Sequence, residues 1–368
     1  MKSSLKKITI RGYKSLGNSD KPVELNLKDI NVIIGANGAG KSNLISFFNM
    51  LSHMMTGALQ SYVAKNGSAN SILQYGAKKT KTISAELVFK NDRFEDAYDF
   101  TLAKAINDTL IYSEEIIKAG NKRFELNSGS KESFLLSDNA IHQSEKVVKA
   151  ILSGCRVFQF HDTSAESRIR NSVNINENRY LMSDGGNVAA YLYMLKKKYP
   201  RYYKRIEQHV RYVMPSFDEF LLEPMMLNLE YIRLEWREKN QIDYIFGPEH
   251  FSDGTIRFIA LATLLLQPPE LLPNVIFIDE PELGLHPQAV DALATLIKEA
   301  AKNVQIIVAT QSARLVDDFE LEDIVVAEKD RNINITHFKR LEDCDIKQWL
   351  EEYSISQLWD KNLIGGQP

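Results

Sequence analysis

Two cysteines in 368 residues are too few for a disulfide framework, and Cys155 and Cys344 form no metal-ligand spacing. A reducing, cytoplasmic setting is the expectation. Long apolar runs are also missing. The longest apolar stretch, Phe258–Leu266, holds Thr263 and is too short to cross a bilayer. The basic start, Met1–Lys7, has no apolar segment behind it to act as a signal peptide. No membrane partner is expected. Neither sign of charge is in excess, since 45 Lys and Arg stand against 48 Asp and Glu, a formal charge of −3. A surface coated in basic residues for nucleic acid is excluded by that balance, and a local basic patch is not. Internal repeats and long linkers are absent.

What is present is an ordinary globular composition, 44% hydrophobic and 25% charged, in a chain long enough for two domains or one large domain with an insertion. Its most informative stretch is Gly35–Ser42, GANGAGKS, which fits the phosphate-loop pattern at every fixed position. The apolar run Ile30–Ile34 precedes it and reads as a buried strand. Asn43–Phe48 follows with apolar residues at helical spacing. In that context Gly35, Gly38 and Gly40 let the backbone curl so that its N–H groups converge on phosphate oxygens, and the new helix points its positive end at the same anion. Lys41 brings a charge to the outer phosphates, and the Ser42 hydroxyl is a Mg²⁺ ligand. The nucleotide-binding set is Gly35, Asn37, Gly38, Ala39, Gly40, Lys41, Ser42 and Asn43.

The second half of the same chemistry lies far downstream. Val275–Ile278 is an apolar strand that ends in Asp279 and Glu280. Asp279 is placed to hold Mg²⁺, and Glu280 to polarise a water for attack on the γ-phosphate. Phe251-Ser252-Asp253-Gly254-Thr255 precedes an apolar helix, Ile256–Leu266, which Pro268 and Pro269 stop. Gln288–Ala301 reads as an amphipathic helix, and Val304–Ala309 as a buried strand ending in Thr310-Gln311-Ser312. Asp323–Glu328 and Ile333–Phe338 close the sheet, and Ile346–Trp359 caps the fold.

Between these halves, Leu5–Ile10 and Val23–Leu27 alternate as half-buried strands. Lys14, in the turn between them, reads equally as a phosphate contact and as a solvated loop lysine. Thr56–Lys81 reads as loop. Ile83–Lys90, Ala97–Ala103, Thr109–Lys118 and Arg123–Leu126 read as an antiparallel meander, followed by a helix over Ala140–Leu152. Cys155–Phe160 is a strand pattern that exits into Gln159, His161 and Asp162, either toward a ligand crevice or into a capped loop. Gly186–Tyr199 and Arg201–Met214 read as helices broken at Pro200, and Leu227–Trp236 with Ile242–Phe246 as a hairpin. Basic residues from Lys196 to Arg211 interleave with tyrosines. Nucleic acid can bind such a tract, but a solvated face over a tyrosine-rich core is the favoured reading.

GANGAGKS, FSDGT before a helix, VIFIDEPELGLHP and IIVATQS together resemble the ABC-type ATPase core in its non-transporter branch. That branch includes the RecF, structural-maintenance-of-chromosomes and overcoming-lysogenization-defect proteins and many predicted AAA-type ATPases of bacteria. The ending, YSISQLWDKNLIGGQP, is similar to the tail of stand-alone members. The resemblance implies that Ser252, Asp253 and Gly254 are the signature motif, which contacts the γ-phosphate held by an opposite subunit. It implies that Gln159 is the Q-loop glutamine at the nucleotide and its metal, and that Leu283–His286 is the D-loop. Asp253 stands where transporters have glycine. Gln311 stands where a switch histidine is typical, and glutamine carries neither histidine's proton nor its charge.

These readings predict an α/β phosphate-loop NTPase with an ABC-type core, an antiparallel β subdomain and an inserted helical subdomain. One module spans 1–368, with the β layer, phosphate loop and meander in 1–135 and helices and hairpin in 140–250. The signature, acidic strand and switch fall in 251–340, and the tail in 341–368. The expected activity is hydrolysis of ATP with Mg²⁺ by Glu280, Gln311 and Lys41, with Ser42, Asp279 and Gln159 at the metal. A homodimer or higher even oligomer is expected to switch a partner in anti-phage defence or DNA maintenance, by family analogy. The candidate partners are a separate nuclease or effector chain and nucleic acid. The competing reading is a nucleotide-gated module with little hydrolysis. Glu342, Asp343 and Asp345 read as a solvated turn rather than a nuclease metal site.

Overall fold

The computed structural model describes residues 4–18, 20–90, 95–126, 128–137, 143–241, 243–330, 333–341, 349 and 351–367. The chain opens with β1 (Ser4–Arg11), β2 (Val23–Asn26) and β3 (Ile30–Ile34), then α1 (Lys41–Met54), α2 (Leu59–Lys65) and α3 (Ala69–Ile72). Next come β4 (Thr82–Lys90), β5 (Glu95–Lys104), β6 (Leu110–Ala119) and β7 (Lys122–Glu125), α4 (Gln143–Ser153) and β8 (Cys155–Phe158). The middle holds β9 (Val173–Asn174), α5 (Val188–Lys198), α6 (Pro200–Val213), β10 (Phe217–Leu221), β11 (Pro224–Met225), β12 (Asn228–Ile232) and β13 (Glu235–Glu238). The last third runs through α7 (Asp253–Leu266), β14 (Val275–Asp279), α8 (Pro287–Ala300), β15 (Gln305–Ala309), α9 (Ala313–Asp317), β16 (Ile324–Lys329), β17 (Thr336–Arg340) and α10 (Ile355–Asp360). The residues form two compact units. The first comprises Met1–Val157, Pro273–Phe277 and Gln305–Pro368; the second comprises Phe158–Leu272 and Ile278–Val304.

Two sheets build the first unit. One has the order β17-β16-β3-β15-β14-β8, with β3 parallel to β15 (Val308 opposite Val32) and to β16 (Val325 opposite Ile33). A strand flanked on both sides must be apolar on both faces, and Val32, Ile33 and Ile34 are buried. The exception, Asn31, is buried but satisfied: it donates to Lys28 O at 2.7 Å and accepts from Lys28 N–H at 2.9 Å. The other sheet, β2-β1-β4-β5-β6-β7, is antiparallel throughout and contains the expected meander. In β4 strict alternation buries Ile83, Ala85, Leu87 and Phe89. Each large one contributes about 1.5–3 kcal/mol. Gln305, at the start of β15, pins the two sheets together. It accepts from Leu5 N–H at 3.0 Å and donates to Leu5 O at 2.8 Å.

A bulge at Ser113 shifts the β5–β6 register between Thr101 and Leu102. The shift turns Glu115 inward, where it accepts from Tyr98 Oη at 2.7 Å, from Phe134 N–H at 2.9 Å and from Ser133 Oγ. Burial pushes its carboxyl above the usual range, and those donors offset part of the rise.

The second unit is built on α7, whose residues Ile256–Leu266 are all buried, packed with α6 and α8. Trp236 stacks on Phe246 at 4.6 Å and Phe251 at 4.7 Å.

Two local expectations need correction. Thr56–Lys81 is not all loop: Leu59, Tyr62 and Val63 fall on one buried face of α2, while Asn66 and Gly67 terminate it. Leu227–Trp236 is not one arm of a hairpin with Ile242–Phe246. It divides into β12, paired with β11 and β9, and β13, paired with β10, and Phe246 meets Trp236 through a single bridge. Ile232, Leu234 and Trp236 keep an unbroken buried alternation, so periodicity alone reads one strand; the pairing changes partners at Arg233-Leu234, between β12 and β13. Ile242, most of Ile346–Trp359 before Glu351, and the acidic residues Glu342, Asp343 and Asp345 lie outside the described residues, as does the start of the helix expected over Ala140–Leu152.

Candidate nucleotide site

In the first unit, β3 ends at Ile34 and passes directly into the loop. The loop therefore stands at the carboxyl end of a strand with parallel neighbours on both sides, where open α/β sheets place ligands. Gly40 has φ of 109°, and a Cβ there would lie 2.1 Å from Thr336 Oγ1. Both facts require glycine. Gly40 then caps α1, whose Asn43 and Leu44 N–H groups each donate to its carbonyl at 3.1 Å. Lys41 is 6% exposed. Its ammonium folds back over the loop and donates to the carbonyls of Gly35 and Ala36, the latter at 3.1 Å. A point charge and a helix amino terminus thus share one small loop.

Ser42 is exposed at the head of α1, and Asn43 Nδ2 donates to Ser15 Oγ at 2.8 Å. Lys14 has φ of 47° and its Nζ donates at 2.7 Å to Ser46 Oγ, one helical turn beyond Ser42. Partial burial pushes the Lys14 ammonium below its ordinary value. Thr310 N–H donates to Ile33 O at 3.0 Å, so the pairing of β15 with β3 sets Gln311, which is exposed, beside the root of the loop.

The second unit holds the acidic and signature residues. At the end of β14, Gln159 Nε2 donates to Asp279 Oδ2 at 2.9 Å, and His161 Nε2 lies 2.9 Å from Asp279 O. Two of the expected metal-site residues, Gln159 and Asp279, are therefore in direct contact, both with hard oxygen atoms suited to Mg²⁺. Glu280 has φ of 42°, a left-handed backbone that costs a non-glycine residue about 1–3 kcal/mol. It turns the chain at once into the segment where Leu283 N–H returns to Glu280 O at 3.2 Å.

Ser252 caps α7, its Oγ accepting from Thr255 N–H at 3.1 Å. Asp253, in the first turn, pairs with Arg170 Nη2 at 2.8 Å. Arg170, buried, also donates to Thr163 O at 2.7 Å, Pro248 O at 2.5 Å and Phe251 O at 3.1 Å. It clamps the segment that leads into Ser252. Arg257, 4% exposed on the next turn, donates to Phe160 O at 2.8 Å, to His161 O at 3.1 Å and to Leu283 O. One guanidinium joins α7, the segment after Gln159 and the turn after Glu280. Sequence reasoning missed Arg170 and Arg257, and named His161 only as one of the polar residues at the exit of Cys155–Phe160. The partners of the two arginines are up to 97 residues away, and no local motif marks them.

In the basic tract, Tyr191 and Tyr203 are buried and Arg205 pairs with Glu299. Lys196 and Lys197 lie over the rings of Tyr203 and Tyr193 at 5.6 and 5.3 Å. Tyr191 and Tyr203 thus serve the core, Tyr193 and Tyr203 carry lysine ammonium groups over their rings, and Tyr212 is exposed. Cys155 is buried with its thiol pushed up to about 12 by desolvation, an inert group. Among the described residues no helix is long and apolar enough to cross a membrane, and no cluster of three metal-ligating His, Cys, Asp or Glu side chains occurs.

A family model described as "AAA domain, putative AbiEii toxin, Type IV TA system" matches residues 30–317. No curated protein matches the sequence significantly. Among solved structures the chain is similar to an Smc head bound to the C-winged helix domain of ScpA, at 17% identity and a TM-score of 0.61, covering 94% of this chain and 99% of that one. It is also similar to the Smc head with an extended coiled coil bound to the C-terminal domain of ScpA from Pyrococcus furiosus, at 16% identity and a TM-score of 0.59, covering 95% and 99%. A third is the Smc head with a coiled coil and joint from Pyrococcus yayanosii, at 13% identity and a TM-score of 0.55, covering 95% and 99%. At these identities the likeness is one of fold, an α/β phosphate-loop NTPase with an ABC-type core.

Proposed function

This chain belongs to the AAA-domain family whose model spans its residues 30–317, and from that premise we propose a Mg²⁺-dependent ATPase that closes as a head-to-tail dimer and switches a partner. ATP binding by an NTPase fold is the family's common ground. The observation that carries the finer reading is the contact of Gln159 with Asp279 at the end of a buried strand, in a chain that also has a complete phosphate loop.

In this reading the loop N–H groups and Lys41 hold the phosphates. Ser42, Asp279 and Gln159 would hold Mg²⁺, which supplies charge neutralisation at the β- and γ-phosphates. Glu280 accepts a proton from the attacking water. Ser252, Asp253 and Gly254 of the second subunit face the terminal phosphate, and Arg170 and Arg257 position the segments that carry these groups. Closure on ATP and release after hydrolysis supply the switch. A partner chain is supported by analogy with the Smc heads, which were solved with fragments of ScpA. Anti-phage defence is supported by the toxin–antitoxin wording of the family, with DNA maintenance as its counterpart. Gln311 favours a second reading, a nucleotide-gated scaffold that turns over slowly, because an amide at the switch position carries no proton.

Glu280→Gln tests the first reading. It is expected to keep ATP affinity and lower turnover by about 10²-fold or more, trapping the dimer. Wild-type turnover in that variant would remove Glu280 from the mechanism. ATP binding with negligible wild-type turnover would favour the scaffold.

A further inference from the structure

A cleft of about 560 Å³ opens beside the phosphate loop. Asn37 and Gly38 line it on one side. On the other stand Asn334 and His337 of the turn and strand after β16, and Gln367 of the C-terminal segment. The volume suits a small-molecule site. Sheet order gives the cleft a direction. β3 lies between β15 and β16; Gln311 follows β15, whereas the far wall of the cleft follows β16. A nucleoside triphosphate is a linear ligand. With its phosphates in the loop and its terminal phosphate toward Gln311, its base and ribose extend to the β16 side.

The C-terminal wall is a built structure. Ser354 and Gln357 form a capping box on α10, and Ser356 donates to the Asp317 carboxylate from its N–H at 2.7 Å and its Oγ at 2.6 Å. Beyond α10, Gly365 and Gly366 have φ of 84° and 82°, two successive left-handed residues. A Cβ on Gly366 would lie 3.4 Å from Gly35 Cα, and Gly366 N–H donates to Glu328 Oε1 at 2.8 Å. Gln367 Nε2 donates to Trp359 O at 3.2 Å. The tail is thus seated against the first glycine of the phosphate loop, and its last described side chain is carried to the cleft.

We propose that the C-terminal segment Ser354–Gln367 is the nucleoside wall of the ATP site, with Gln367 and His337 contacting the base and ribose. This rests on the nucleotide reading above. Side-chain amides present a donor and an acceptor together, the pattern that pairs with an adenine edge, and a histidine ring offers a flat face as well as hydrogen bonds. The tail belongs to the recognition surface for ATP and is more than a cap on the sheet.

The test separates nucleoside from phosphate. Calorimetric titration of the whole chain with ATP and with inorganic tripolyphosphate, both with Mg²⁺, gives two dissociation constants. Wild-type protein is expected to bind ATP about tenfold or more tighter than tripolyphosphate, the worth of one or two hydrogen bonds. Gln367→Ala and His337→Ala are each expected to weaken ATP about fivefold and to leave tripolyphosphate unchanged. Both side chains are at least partly exposed, and thermal melts matching wild type confirm folding. A ratio of the two constants unchanged in both variants overturns the proposal, as does weakening of both ligands in step. Wild-type protein that binds neither ligand overturns the nucleotide reading itself, and this inference with it.

Discussion

Arg257→Met removes a guanidinium and keeps a flexible apolar side chain in its place. In the second unit that guanidinium holds three carbonyls, those of Phe160 at 2.8 Å, His161 at 3.1 Å and Leu283. Each left without a donor costs about 1–3 kcal/mol, or roughly 3–9 kcal/mol for the set. Opposing this is relief of the buried charge. Desolvation already pushes the Arg257 pKa below its ordinary value, and a buried ion carries an effective penalty of several kcal/mol. The net loss is about 2–4 kcal/mol once the relieved desolvation is set against the three lost hydrogen bonds. At about 2–4 °C per kcal/mol, the melting temperature falls by roughly 5–15 °C. The segments freed are those following Gln159 and Glu280, so turnover should fall about tenfold or more even at temperatures where the variant is folded. Arg257→Lys has a single ammonium and recovers at most part of both losses. Differential scanning calorimetry and a phosphate-release assay measure the two effects. A melt within about 2 °C of wild type, with turnover intact, would refute the reasoning and show that the guanidinium is not the tie between these segments.

Three further outcomes are expected. Lys41→Ala and Ser252→Arg should each be inactive in phosphate release and should recover activity when mixed, since one composite site of the mixed dimer keeps an intact loop opposite an intact signature; no recovery from two folded, dimeric variants would reject the head-to-tail arrangement. Gln311→Ala should slow phosphate release several-fold while Gln311→His is tolerated, and equal rates in all three proteins would place Gln311 away from the chemistry. The raised carboxyl of Glu115 binds its proton more tightly in the folded chain than in the unfolded one, so its contribution is fully present below the ordinary value of 4.5 and is lost as pH rises through the folded value. Melting temperatures of wild type and Glu115→Gln compared from pH 4 upward should therefore diverge, wild type losing relative stability as pH rises, and parallel curves would contradict the shift.

The phosphate loop, the strand before it and the helix after it were legible because each is a local pattern: four apolar residues in a run of five, a glycine spacing, a 3.6-residue period. The acidic strand end at Asp279 was legible for the same reason. The antiparallel meander was read almost strand for strand, since β4 alternates without interruption. What failed was pairing. Nothing in Leu227–Trp236 says that Ile232 pairs with Val173 and Trp236 with Phe220, because those choices are made by burial against residues far away. Glu115 shows a second limit. Its inward turn depends on a one-residue bulge, and periodicity alone places a glutamate in a strand on the outside. Arg170 and Arg257 show a third. A buried arginine that satisfies distant carbonyls leaves no spacing to detect.

The placement of β3 has a consequence for synthesis on the ribosome. Its hydrogen-bonded neighbours are β15 and β16, so the strand that carries the phosphate loop emerges early and waits for partners about 275 residues later, as the pairing of Ile30 with Ile306 requires. The meander β4–β7 pairs only with sequence neighbours and with β1, and is free to form long before. During that interval Ile30–Ile34 is an apolar segment with both edges unpaired, the kind of strand that recruits chaperones or aggregates. The nucleotide loop is therefore among the last features the nascent chain completes, although it is encoded among the first, and a chain interrupted before β16 carries the whole motif without the sheet that shapes it.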